Sequence, residues 1–440
     1  FADPGRMRPM PTRTILRTTT VLLGLAVGTT SQVKAQGEEP YRKNLPADHP
    51  AITYDAGPVH DAVGQLARAV EAGEVRLAYD AQFGYLPSLL RHLDVNTDSQ
   101  ALVFSKTSFQ SPLISPRAPR AIYFSDTAAV GVVRGASVIE LAGFDPRRGA
   151  VFYTLDAARS DSPRFDRPRR CLQCHQQAAT LGVPGPYIGS VTTSVTGRPN
   201  FGLGTVVTDH RTPFEARWGG WYVTGTHGSQ QHRGNAMARD PAAPAGLVDP
   251  ARQNLRSLQR FIDVDEFLVP TSDLIALMTF EHQTQMINLL TRIGWETRLA
   301  DHDGLLDAVE TRARLAGIEE IVRYMLFVDE TPLTDEIEGV SSFTETFEAR
   351  GPHDSQGRSL RDFDLRSRLF RYPLSFMIYS DLFDGLPGAI KEPVYERLFE
   401  VLSADDGVDG FDALSPADRR AIVAIVQDTK TGLPGYWTAE

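Results

Sequence analysis

The period of the apolar positions changes twice along this chain. Val59, Val63, Leu66 and Val70 recur at three- and four-residue intervals, which predicts a helix over 58–72. Between residues 101 and 155 the runs shorten. Segments 101–104, 121–124, 129–133, 137–141 and 150–155 are rich in Val, Ile, Phe and Tyr, and Gly, Pro and Asp separate them. Such runs predict an antiparallel sheet of several strands. A Gly-rich stretch over 187–226 also has strand character. Helical spacing then returns over 252–262, 271–293, 304–328, 392–403 and 416–428. Ser415 is placed to cap the last of these helices, with Pro416 at its first position. Residues 331–366 are charged and irregular, and 405–410 reads as a solvated acidic turn, since it lacks the full ligand series of a calcium loop. The fold class expected is α+β, with a β-rich N-terminal half and a helical C-terminal half.

Between those halves lies Cys171-Leu172-Gln173-Cys174-His175. Cys-x-x-Cys-His is the attachment signal of a c-type haem. Two thiols three positions apart can reach the two vinyl groups of one porphyrin, and the next residue can place an imidazole nitrogen on the iron. The chain has only two cysteines, so both are assigned. A structural zinc site needs a second ligand pair, and none is evident. The expected cofactor is therefore one covalent haem c on Cys171 and Cys174, with His175 as proximal iron ligand.

The N-terminus reads as an export signal. Met7 is the expected start, Arg8, Arg13 and Arg17 form a basic region, 21–27 is a short apolar core, and 33–35 suits cleavage before Gln36. Four regions follow: a signal peptide over 1–35, a β-rich region over 36–160, a haem-binding region over 161–245 and a helical region over 246–440. The expected location is the periplasm or another exported compartment, in soluble form. The first 35 residues hold five basic side chains and one acidic, so the rest is more acidic than the whole chain at −10. That balance disfavours nucleic acid and favours a basic redox partner protein.

Gly185-Pro186-Tyr187-Ile188-Gly189 resembles the class I cytochrome c pattern beyond the haem His. The resemblance implies that the Pro186 carbonyl accepts a hydrogen bond from the ligand imidazole, which would orient the ring and raise its basicity. It covers about 20 residues, and the Trp-rich sequence beyond departs from small helical cytochromes. The longer chain also resembles a group of large bacterial monohaem cytochrome c proteins. Residues 102–108, 208–228 and 281–286 carry this likeness, which implies a shared fold and a haem and supplies no substrate.

Candidates for the sixth iron position come from the polar and aromatic stretch after the motif. His232 and His227 lead, Met237 follows, and His282 or Met286 come next, four apart on a predicted helix. An iron position with no protein ligand is a further option. Arg169, Arg170, Arg211 and Arg217 are candidates to hold haem propionates, and Trp218 and Trp221 to pack on the porphyrin. Two functions compete. A six-coordinate haem would pass one electron between partners. A haem oxidoreductase, acting on peroxide or a small reduced substrate, would use an open or displaceable iron position, with His210, Glu215 and Arg217 as acid–base or charge-stabilising candidates.

Overall fold

The computed structural model describes residues 43–440, apart from 241, 243–245, 307–310, 406 and 439–440. The expected signal peptide lies outside these residues. Six strands form a simple antiparallel meander: β1 Ala101–Val103, β2 Arg120–Phe124, β3 Ala128–Val132, β4 Val138–Asp145, β5 Gly149–Asp156 and β6 Phe165–Asp166. Five of them fall where the apolar runs predict. The alternation sets the register: Ile122 opposes Gly131, Gly131 opposes Glu140, and Ala142 opposes Phe152. These residues therefore share one face. The other face carries Tyr123, Val130, Leu141, Val151 and Tyr153, which join a separate apolar cluster. The meander thus divides two cores. A second, two-stranded sheet pairs β7 Ile188–Val191 with β8 Thr205–Thr208.

Nine helices are described: α1 Ala62–Glu71, α2 Leu86–His92, α3 Leu172–His175, α4 Leu274–His302, α5 Thr311–Met325, α6 Phe343–Glu348, α7 Asp381–Asp384, α8 Gly388–Ser403 and α9 Pro416–Thr429. The fold is α+β, with the meander early and the long helices late. The Ser415 cap is present, its hydroxyl accepting from the Asp418 amide while the Asp418 carboxylate accepts from the Ser415 amide. Asp61 caps α1 by accepting from Gly64 N at 2.8 Å.

Central to the molecule is α4. Its first eighteen residues are buried, including Glu281, His282, Gln283, Thr284, Gln285 and Asn288. A helix buried on all sides must satisfy such polar groups internally. Phe280 stacks on Phe124 of the meander with ring centroids 4.3 Å apart. Among the described residues no helix is long and apolar enough to cross a membrane.

Two expectations are corrected. Residues 252–262 are not helical, although Leu255, Leu258 and Ile262 have the spacing. Asn254 takes a left-handed conformation, φ 53°, and its amide and side chain serve the 227–228 loop instead. Most of 187–226 is loop outside β7 and β8. There Trp221 makes a single bridge to Val103 of β1, and just past that strand Phe104 N and Ser105 N both donate to Gly220 O, at 2.9 and 3.0 Å. Gly220 is required at that crossing. Its φ is +88°, and a Cβ would lie 2.7 Å from that of Ser105.

Candidate functional site

One helical turn, α3 and the residue before it, presents Cys171, Cys174 and His175. Both cysteines are half-buried and unpaired. His175 Nδ1 lies 3.0 Å from Gly185 O. A carbonyl only accepts, so Nδ1 carries the proton and Nε2 keeps its lone pair, the tautomer an iron ligand needs. The ring neighbours are Phe152, with centroids 4.5 Å apart, and Tyr187 at 5.9 Å. Burial holds the imidazole below its ordinary pKa, and the bond to Gly185 partly offsets this.

The acceptor expected from Pro186 is thus supplied by Gly185. The Pro186 carbonyl is turned to α4, where it accepts from Asn288 Nδ2 at 2.9 Å. Asn288 and Gly185 are in close contact, and a Cβ on residue 185 would fall 1.7 Å from Asn288 Oδ1. Asn288 therefore fixes the turn that orients the His175 ring.

The meander supplies an apolar floor beside His175. Ile122, Ala129, Gly131, Ala142 and Phe152 share the face established by the register. Ile122, Ala129, Cys171 and Leu172 are only partly covered. At the floor's polar edge Arg120 lies over Gly131 and pairs with Glu140 at 2.7 Å. Arg120 Nε is buried without a hydrogen-bond partner. Small and apolar side chains under one imidazole, two adjacent thiols and a guanidinium with a free donor suit a flat macrocycle bearing carboxylates.

The other candidates sit elsewhere. His227 uses both ring nitrogens on backbone, with Nδ1 2.7 Å from Gln230 O and Nε2 accepting from Asn254 N at 3.0 Å. His232 is buried against His227, Phe214 and Trp218, and burial keeps its pKa well below the ordinary value. Met237 packs against the second core. Trp218 is wholly buried in the Phe214 cluster, and Trp221 Nε1 donates to Gly189 O at 2.9 Å. Met286 is core.

His210, Arg217, Glu281 and His282 do come together, as a buried polar cluster. Arg217 pairs with Glu281 at 3.1 Å and donates to the carbonyls of Thr212 and His210 at 2.8 and 2.9 Å. The Nδ1 atoms of His210 and His282 are 2.9 Å apart, and His282 Nε2 meets Ser375 Oγ at 2.7 Å. Tyr324 stacks on both rings, and Phe327 stacks on His282 and lies tilted against His210. Burial keeps both imidazoles neutral and pushes the Glu281 carboxyl up to about 7, against the opposing pull of Arg217. This cluster joins the stretches 208–228 and 281–286, while 102–108 meets the first of them through backbone bonds at Gly220 and Tyr222. Glu215 is not part of it and lies exposed on the surface. Arg217 spends all three nitrogens on Thr212 O, Glu281 and His210 O, Arg211 pairs with Asp209, and Arg169 forms a surface pair with Asp55.

A second group of possible metal ligands, His49, His302 and Asp303, gathers near the end of α4. Ala51 N donates to His49 Nδ1 at 3.2 Å, which leaves the proton on Nε2, the atom facing Asp303. With its proton there, Nε2 lies 4.0 Å from Asp303 Oδ1 and offers no lone pair to a metal. Set beside known proteins, the chain matches no family model, no curated protein and no solved structure.

Proposed function

We propose that the protein is an exported monohaem c-type cytochrome that transfers electrons. The observation that carries this reading is the Cys171-x-x-Cys174-His175 turn whose imidazole is tied through Nδ1 to Gly185 O, leaving Nε2 for a metal. Cys171 and Cys174 would hold the haem through thioether bonds, His175 would ligate the iron, and Arg120 would meet a propionate. When bound, the haem supplies a one-electron couple. The chain's own part is to orient the imidazole through Gly185 and Asn288 and to cover one ring face with Phe152, Ala129 and Ala142. No proton transfer is asked of any side chain.

A second reading is a haem oxidoreductase with an open sixth position. It is favoured by one observation: His227 and His282 spend both ring nitrogens on other partners. Optical redox titration with and without carbon monoxide separates the two. The electron-transfer reading expects a one-electron Nernst curve, a low-spin spectrum and no response to carbon monoxide. Rapid carbon monoxide binding by the reduced protein would replace it with the oxidoreductase reading.

A further inference from the structure

A cavity of about 270 Å³ lies on the face of the meander turned away from His175. Its floor is made by Ala121, Val132 and Ile139, and Ala121 opposes Val132 in the register of β2 and β3. Ile122 and Glu140, next to them in sequence, belong to the other face, so the cavity is separate from the Cys-x-x-Cys-His turn. Rings supply much of the wall. Tyr85 is buried, Tyr79 is 39% exposed at the mouth, and the two meet edge to face with centroids 4.9 Å apart. Phe83, Tyr123 and Phe267 complete the lining rings. Bonds within the 79–86 rim fix its shape. The Asp80 carboxylate accepts from Gln82 N and Phe83 N at 2.7 and 2.8 Å, and Asp80 and Gly84 exchange two backbone bonds at 2.8 and 3.1 Å. Gln82 Nε2 donates to Asp265 O at 2.7 Å, which ties this rim to the one over 266–268.

The polar atoms of the lining are already used. Tyr85 Oη donates to Ser160 O at 3.0 Å and accepts from Ser160 N at 2.8 Å, and Tyr123 Oη donates to Gln100 Oε1 at 2.6 Å. Among the described residues, no lining side chain has a buried polar atom without a partner. Charge is confined to the mouth, where exposed Arg134 pairs with Glu266 and the Arg159 guanidinium lies 5.9 Å from the Tyr79 ring centroid. An ion carried inside would lose its hydration and gain no counter-charge. Size narrows the class further. An apolar cavity of about 150 Å³ holds benzene, so one of about 270 Å³ has room for two fused rings. We infer that this cavity binds an uncharged bicyclic aromatic molecule, of indole or naphthol size, held among the lining rings with its polar edge at the mouth. The rigid rim means that little ordering accompanies binding. The inference uses neither cysteine nor His175, and it stands or falls apart from the haem.

The test is calorimetric titration of the full chain, as isolated from a host that matures cytochromes, with three probes of one shape. These are 2-naphthol, which is uncharged at neutral pH, the anion 2-naphthoate and the cation 2-naphthylmethylammonium. 2-Naphthol should bind at one site with a dissociation constant of about 100 µM or below, and each ion at least about tenfold more weakly. Ala121→Leu puts three carbons into the floor and should weaken 2-naphthol at least about tenfold, while Arg134→Gln at the mouth should change it less than about threefold. The parent protein with labelled methyl groups locates the probe without any substitution. Nuclear Overhauser contacts from 2-naphthol to the methyls of Ala121, Val132 and Ile139 are expected. No saturation by about 1 mM 2-naphthol, or contacts only to methyls elsewhere, overturns the site. An ion that binds as tightly as 2-naphthol overturns the ligand class. A colourless preparation that still binds 2-naphthol here overturns the cytochrome reading and leaves this inference standing.

Discussion

Arg217→Met will cost about 3–5 kcal/mol of stability, and adding Glu281→Leu will return most of the loss. Both groups of this pair are buried, and the guanidinium also serves the carbonyls of Thr212 and His210. Removing the cation alone strands a carboxylate in a medium that cannot solvate it. Burial already pushes Glu281 up to about 7 with Arg217 in place. Without Arg217 the carboxyl must hold its proton or the core must open. Beside Arg217 the carboxyl draws smaller help from Thr208 and Trp218, which cannot replace a cation. Leucine at 281 removes the stranded group and fills much of its volume. Urea unfolding of the parent, both single variants and the double variant gives the cycle. A single-variant loss under about 1 kcal/mol would show that the pair is solvated and that the cluster is not a closed core.

The second large effect concerns His175 as the iron ligand of the proposed haem. On that reading Gly185→Ala will keep the covalent haem and raise its reduction potential by about 60 mV, the equivalent of a tenfold loss in preference for the oxidised metal. A Cβ at 185 would lie 1.7 Å from Asn288 Oδ1, so the turn must move and carry its carbonyl away from His175. Losing that acceptor makes the imidazole less basic and favours Fe(II). Asn288→Ala should shift the potential the same way by less, since it unties Pro186 O but leaves Gly185 free to stay. The double variant removes the clash and should behave like Asn288→Ala alone. Spectroelectrochemical titration reads all three. Unchanged potentials throughout would mean that the Gly185 carbonyl does not hold the ligand ring.

Much of this arrangement was legible in the chain. The meander is visible because its strands are short, β-branched or aromatic, and punctuated by Gly, Pro and Asp, while α8 and α9 keep plain helical periods. The full length of α4 was harder to read. Its buried Glu281, His282, Gln283 and Asn288 look like an exposed face in sequence, yet Arg217, Ser375, Ser125 O and Pro186 O meet them from far away in the chain. Asn288 lies seven residues after Glu281, on the same helix face, and that spacing is the only sequence signal it carries. Histidine roles were also hidden. His227 looks free beside Gly228, but the groups that occupy its nitrogens are backbone atoms of Gln230 and Asn254. The substitution of Gly185 for Pro186 as acceptor depends on which way one peptide faces, and Asn288 decides that from 102 residues away.

The intact mass of the exported protein, made in a host that matures cytochromes, bears on the haem most directly. The account predicts the polypeptide plus one haem, a visible Soret band and no thiol that titrates. Cys171→Ser with Cys174→Ser should return the bare mass. A colourless parent at the mass of the polypeptide alone, with two titratable thiols, would contradict it.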